Sequence, residues 1–127
     1  MASNANPSLP RSLSGSESAV LQALLERAPL GEASAAAQVD LATLRVVGLC
    51  ECGCDSLFLE GIESAVDQYR IADGLGYTIE HEQIGLILWA SGDAPVHLEL
   101  YNYAEHPARL PVPASICPFE GSAKSRE

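Results

Sequence analysis

The chain has 127 residues, 47% of them apolar and 19% charged, with seventeen acidic against seven basic side chains and a formal charge of −10. That length suits one domain burying about two-thirds of the surface its unfolded chain exposes, and the composition is that of a folded protein. The charge repels phosphate backbones and anionic headgroups, which excludes nucleic acid and membrane surfaces as expected partners; it serves solubility or matches a basic partner protein.

The first residues, Met1-Ala2-Ser3-Asn4-Ala5-Asn6-Pro7, lack a basic stretch followed by an apolar one and do not read as a secretory signal. The longest strongly apolar run, Ile84 to Ala90, is far short of the roughly 20 residues that cross a bilayer. A cytoplasmic protein is expected, in which the four cysteines act as free thiols, metal ligands or redox groups. Residues 1–13 and 121–127 are polar and aperiodic and read as disordered tails around a single domain over 14–120.

Within that domain, Ser14-Gly15-Ser16-Glu17 has the spacing of a capping box. Val20, Leu21, Leu24, Leu25 and Ala28 then recur at helical spacing until Pro29 removes a donor and stops the helix. The alanines between Glu32 and Val39 predict a second, short helix. From Leu44 the period changes, and Leu44 to Cys50 and Asp55 to Glu60 read as two strands joined by Cys50-Glu51-Cys52-Gly53-Cys54. Residues 61–82 carry both helical and turn signals and receive no assignment. Ile84 to Ala90 and Val96 to Tyr103, joined by Ser91 to Pro95, predict a β-hairpin with Leu86, Leu88, Leu98 and Leu100 on its core face. Pro107, Pro111, Pro113 and Pro118 then suggest an extended segment packed along the domain. The fold class expected is α+β: one or two N-terminal helices on an antiparallel sheet of four to five strands.

Three cysteines at alternate positions of a straight strand would stand roughly 6.6 to 7 Å apart at their Cα atoms, too far for one metal. Gly53 permits a turn that draws them together, so Cys50, Cys52 and Cys54 become candidate zinc ligands, with Cys117 as the fourth and His81, His97 and His106 as the other candidates. Two further readings stay open: inert thiols packed as small hydrophobes, and thiol redox chemistry.

The segment Val47-Gly48-Leu49-Cys50-Glu51-Cys52-Gly53-Cys54-Asp55-Ser56-Leu57 resembles that of a group of small bacterial proteins with a Cys-x-Cys-Gly-Cys turn between two strands. The likeness extends to Ala37-Gln38, Leu98-Glu99-Leu100-Tyr101 and Leu110-Pro111, about half the chain. Since that group has no assigned activity, the resemblance implies a shared fold and carries over no catalytic residue. A proline often follows the third cysteine there, and Asp55 takes that place here.

Other constellations are weaker. His97 and Glu99 share a strand face and could form an acid/base pair, and Trp89, Tyr101 and Tyr103 could present an aromatic patch or pack under the proline-rich segment. No phosphate-binding glycine loop, His-Glu-x-x-His, Gly-x-Ser-x-Gly or calcium loop occurs. The function expected is that of a non-catalytic interaction or accessory protein, with a small zinc-binding domain and a thiol-redox protein as the alternatives.

Overall fold

The computed structural model describes residues 9–30 and 39–119. Ser14 opens the one α-helix among them: its hydroxyl accepts the Glu17 N–H at 3.1 Å while the Glu17 carboxylate accepts the Ser14 N–H at 2.8 Å, so each end of the expected capping box satisfies the other. Helix α1 runs Gly15–Arg27 and closes at Ala28, whose N–H reaches the Leu24 carbonyl just before Pro29. Val20, Leu21, Ala23 and Leu24 form its buried face. Of the second helix expected over 32–39, all but Val39 lies outside the described residues, and Val39 is not helical.

The rest is sheet. Seven strands, β1 (Arg11–Ser12), β2 (Arg45–Leu49), β3 (Leu57–Leu59), β4 (Tyr69–Tyr77), β5 (Gln83–Ser91), β6 (Ala94–Tyr101) and β7 (Cys117–Pro118), form one antiparallel sheet in the order β1-β2-β3-β6-β5-β4-β7. The expectation of one or two helices on four to five strands is therefore corrected to a mostly β architecture, with one α-helix and seven strands among the described residues.

The physical reasons lie in three strands. β4 was obscured by Gly74 and Gly76, which read as turn residues. Inside the strand they instead let neighbouring chain approach: a Cβ on Gly74 would stand 2.7 Å from the Cys117 carbonyl oxygen, and one on Gly76 would stand 2.8 Å from the Pro111 side chain. β1 and β7 are two residues each and too short for alternation to show. Because β1 pairs Arg11 with Val46 and Ser12 with Arg45, the folded body begins ahead of Ser14.

The hairpin forms as its alternation requires, with a tighter connection: Ser91 pairs Ala94 across Gly92-Asp93, and a register shift between Trp89 and Ala90 leaves Val96 as the extra residue, with Pro95 opposite Ala90. Leu86, Leu88, Leu98 and Leu100 are all buried. Leu98 lies opposite Leu88 on one side and Leu57 on the other, which places it at the middle of the core shared by the sheet and α1. No helix among the described residues is long and apolar enough to cross a membrane.

Candidate metal centre

β2 and β3 pair antiparallel from Val46 opposite Leu59 to Leu49 opposite Leu57, so the chain between them must reverse over the cysteine segment. The reversal starts at Cys50, whose carbonyl accepts the Gly53 N–H at 3.2 Å, and Gly53 takes φ +93, a conformation costly for any residue with a Cβ. This turn brings the ligand atoms of Cys50, Cys52 and Cys54 within 4.8 Å of one another. The Cys50 and Cys52 sulfurs are 3.1 Å apart, and the Cys54 N–H points at the Cys52 sulfur at 3.4 Å.

Four neighbours hold the turn. The Cys54 thiol donates to Ser56 Oγ at 3.2 Å, and buried Ser56 accepts the Leu100 N–H at 2.9 Å, which ties the cluster to β6. On the other side, the Asp55 N–H donates to the Ala108 carbonyl and its carboxylate accepts the Leu110 N–H, both at 2.9 Å. Arg109 donates to the Gly53 carbonyl at 2.8 Å and to Asp55 at 3.3 Å. The proline-rich segment thus returns to clamp the turn. Asp55 thus uses both an N–H and a carboxylate, neither of which a proline at this position would have.

The electrostatics of the cluster are asymmetric. Sharing its thiol hydrogen bond with Cys52 pushes Cys50 up to about 11, while Cys52 is held below the ordinary thiol range by that same hydrogen bond and by the Cys54 N–H. Of that pair, Cys52 is the sulfur that more readily becomes thiolate, the form that ligates metal or attacks as a nucleophile. It is also exposed, whereas Cys50 and Cys54 are half-buried.

The other expected ligands are distributed as follows. Cys117 is exposed on β7, opposite Leu75, at the far edge of the sheet from the β2–β3 turn, and is not brought to the group. His97 stacks on Phe58 with ring centroids 4.5 Å apart, and burial pulls its pKa down against the pull of Glu99. Glu99 accepts the Trp89 indole N–H at 2.9 Å, so the two residues of the suggested acid/base pair are each engaged elsewhere. His81 lies in the β4–β5 turn at φ +71, its N–H on the Thr78 carbonyl. His106 shares with Cys52 and Cys54 a hollow of about 300 Å³, lined also by Asn102, Glu105 and Pro107. Of the aromatic trio, Tyr103 is 90% exposed while Trp89 and Tyr101 are half-buried.

Sequence reasoning missed Ser56, Arg109 and the wall around His106. Asp55 could have been flagged as an Asx residue beside a glycine turn, but Arg109 is 56 positions from Gly53, and no local pattern announces such a contact. No family model, curated protein or solved structure matches the chain, so the functional reading rests on this geometry.

Proposed function

We propose that the protein is a small metal-binding domain whose Cys50, Cys52 and Cys54 thiolates take a soft or borderline divalent cation, zinc before others. The observation that carries this reading is the convergence of the three ligand atoms within 4.8 Å around the Gly53 turn. Tetrahedral zinc with bonds of about 2.3 Å sets its sulfurs roughly 3.8 Å apart. The 3.1 Å pair would open by about 0.7 Å and no other separation would close by more than about 1 Å, changes within the reach of side-chain rotation. Thiolates favour zinc and copper(I) over magnesium or calcium, and the nearby Arg109 guanidinium offsets part of their negative charge.

The test is elemental analysis of anaerobically purified protein with a cobalt(II) titration. Near-stoichiometric metal, thiolate-to-cobalt charge-transfer absorption and protection of three thiols from alkylation are expected. Absence of any bound metal at micromolar cobalt or zinc would sink the reading.

A second reading, thiol redox chemistry, is favoured by the 3.1 Å approach of Cys50 to Cys52. In the metal-free protein a peroxide would oxidise the Cys52 thiolate to a sulfenic acid, releasing water or an alcohol; the Cys50 sulfur would then displace a second water to close a disulfide. Loss of two hydrogens mapped to this peptide, reversed by dithiothreitol, supports it. The broader reading as an accessory protein rests on the charge of −10 and on exposed Val66, Ile79 and Tyr103. Those three residues lie in separate connections between strands, whereas the cysteine turn specifies a chemistry.

A further inference from the structure

Three thiolates leave one position of a tetrahedral site to be filled. His106 and Glu105 offer donors in the hollow that Cys52 and Cys54 line, and both precede Pro107, which a Cβ on Gly53 would meet at 3.8 Å. Their situations differ. His106 Nε2 lies 2.8 Å from one Glu82 carboxylate oxygen and 2.9 Å from the other. Asn102 Nδ2 donates to the same carboxylate at 2.7 Å and to the His106 carbonyl at 3.3 Å, so Glu82 and the backbone of His106 are held by one amide.

An ionised carboxylate can only accept, so Nε2 carries the proton and, in the neutral ring, the lone pair is on Nδ1. A carboxylate that accepts one ring N–H and leaves the other nitrogen free is the usual supporting arrangement of a metal-bound histidine, because it settles the tautomer and raises the basicity of the ligating nitrogen. Charge points the same way. A neutral imidazole leaves a three-thiolate zinc site one unit negative, while a fourth anion such as Glu105 would leave it two units negative on a protein already at −10.

We propose that His106 completes the cysteine site as its fourth ligand through Nδ1, with Glu82 and Asn102 as the positioning residues that orient the ring. The inference rests on the metal reading above and names its remaining ligand. His106 lies outside the 4.8 Å group of sulfurs, so metal binding has to close the remaining gap by movement of the 102–107 connection together with the Glu82 side chain. That connection is free of regular secondary structure, which leaves its backbone able to follow.

The experiment is a cobalt(II) titration of the full chain with competition by a chelator of known affinity, run on wild type, His106→Ala, Glu82→Gln, Glu105→Gln and Cys117→Ser. His106 is exposed, so its removal should leave the fold intact, checked by circular dichroism. The expected result is at least a tenfold loss of affinity in His106→Ala with shifted ligand-field bands and undiminished thiolate charge transfer per cobalt, about a tenfold loss in Glu82→Gln, and wild-type behaviour in Glu105→Gln and Cys117→Ser. Zinc binding should also move the His106 Nδ1 nitrogen resonance while the Nε2 proton stays. If His106→Ala matches wild type in affinity and bands, or if Glu105→Gln or Cys117→Ser shows the loss instead, the histidine assignment is overturned and the three-thiolate site stands. If wild type binds neither cobalt nor zinc, both fall.

Discussion

Arg109 grips the cysteine turn by its backbone: its guanidinium donates to the Gly53 carbonyl at 2.8 Å, and the same nitrogen reaches Asp55 at 3.3 Å. The turn is therefore held from outside by a positive charge on the carbonyl that lies between Cys52 and Cys54 in the chain. Arg109→Ala should change stability by less than about 1 kcal/mol, because the pair is largely solvated, yet weaken metal affinity several-fold. Asp55→Pro removes the N–H on Ala108 and the acceptor for Leu110 together and should cost about 1 to 3 kcal/mol in urea unfolding. Equal losses of affinity and stability in Arg109→Ala would show that the residue only holds the fold.

Gly53 has room for a methyl group, since a Cβ there would meet only Pro107 at 3.8 Å, but its φ of +93 does not suit one. Gly53→Ala should cost about 1 to 2 kcal/mol of backbone strain and, if the chain relaxes to relieve it, spread the three sulfurs. Metal titration and a crystal structure of the variant check this. Unchanged affinity would mean that the cluster does not depend on the turn.

Glu17 joins the helix start to β1. Burial raises its pKa, but the Arg11 hydrogen bonds and the Ser14 N–H outweigh burial and hold it below its ordinary value of 4.5. The unfolded chain then takes up the proton first as pH falls, so the stabilisation is complete above about pH 4.5 and is lost as pH drops through the lower folded value. Glu17→Gln should be less stable at neutral pH by about 1 to 2 kcal/mol and should lose less stability than wild type on going from pH 6 to pH 3. Parallel pH dependences in urea unfolding would contradict the assignment.

Leu98 is 0% exposed, between Leu88 and Leu57, so Leu98→Ala should destabilise the protein by about 2 to 5 kcal/mol. The same substitution at Glu99, whose side chain faces the other way to Trp89, should cost about 1 kcal/mol for the lost hydrogen bond. A reversal of this order in chemical denaturation would place the strand in the wrong register.

Local sequence determined the features whose cause is local. Ser14 and Glu17 cap a helix because their side chains reach each other's amides within one turn, and Leu86, Leu88, Leu98 and Leu100 share a face because a strand alternates every residue. Gly53 bends the cysteines together because three or four residues of backbone suffice to do it. Tertiary structure decided the rest. Gly74 and Gly76 belong to a long strand only because β7 and Pro111 come close enough to exclude a Cβ, and the two-residue strands exist only because a partner edge was waiting. The sequence offered Cys117 as the fourth ligand, with His106 among the other candidates. The strand order carries Cys117 to the far edge of the sheet, while the return of the chain after β6 brings His106, already bonded to Glu82, to the hollow beside Cys52 and Cys54. Which donors meet depends on strand pairing between residues tens of positions apart, and hydrogen bonds of that range leave no period in the sequence.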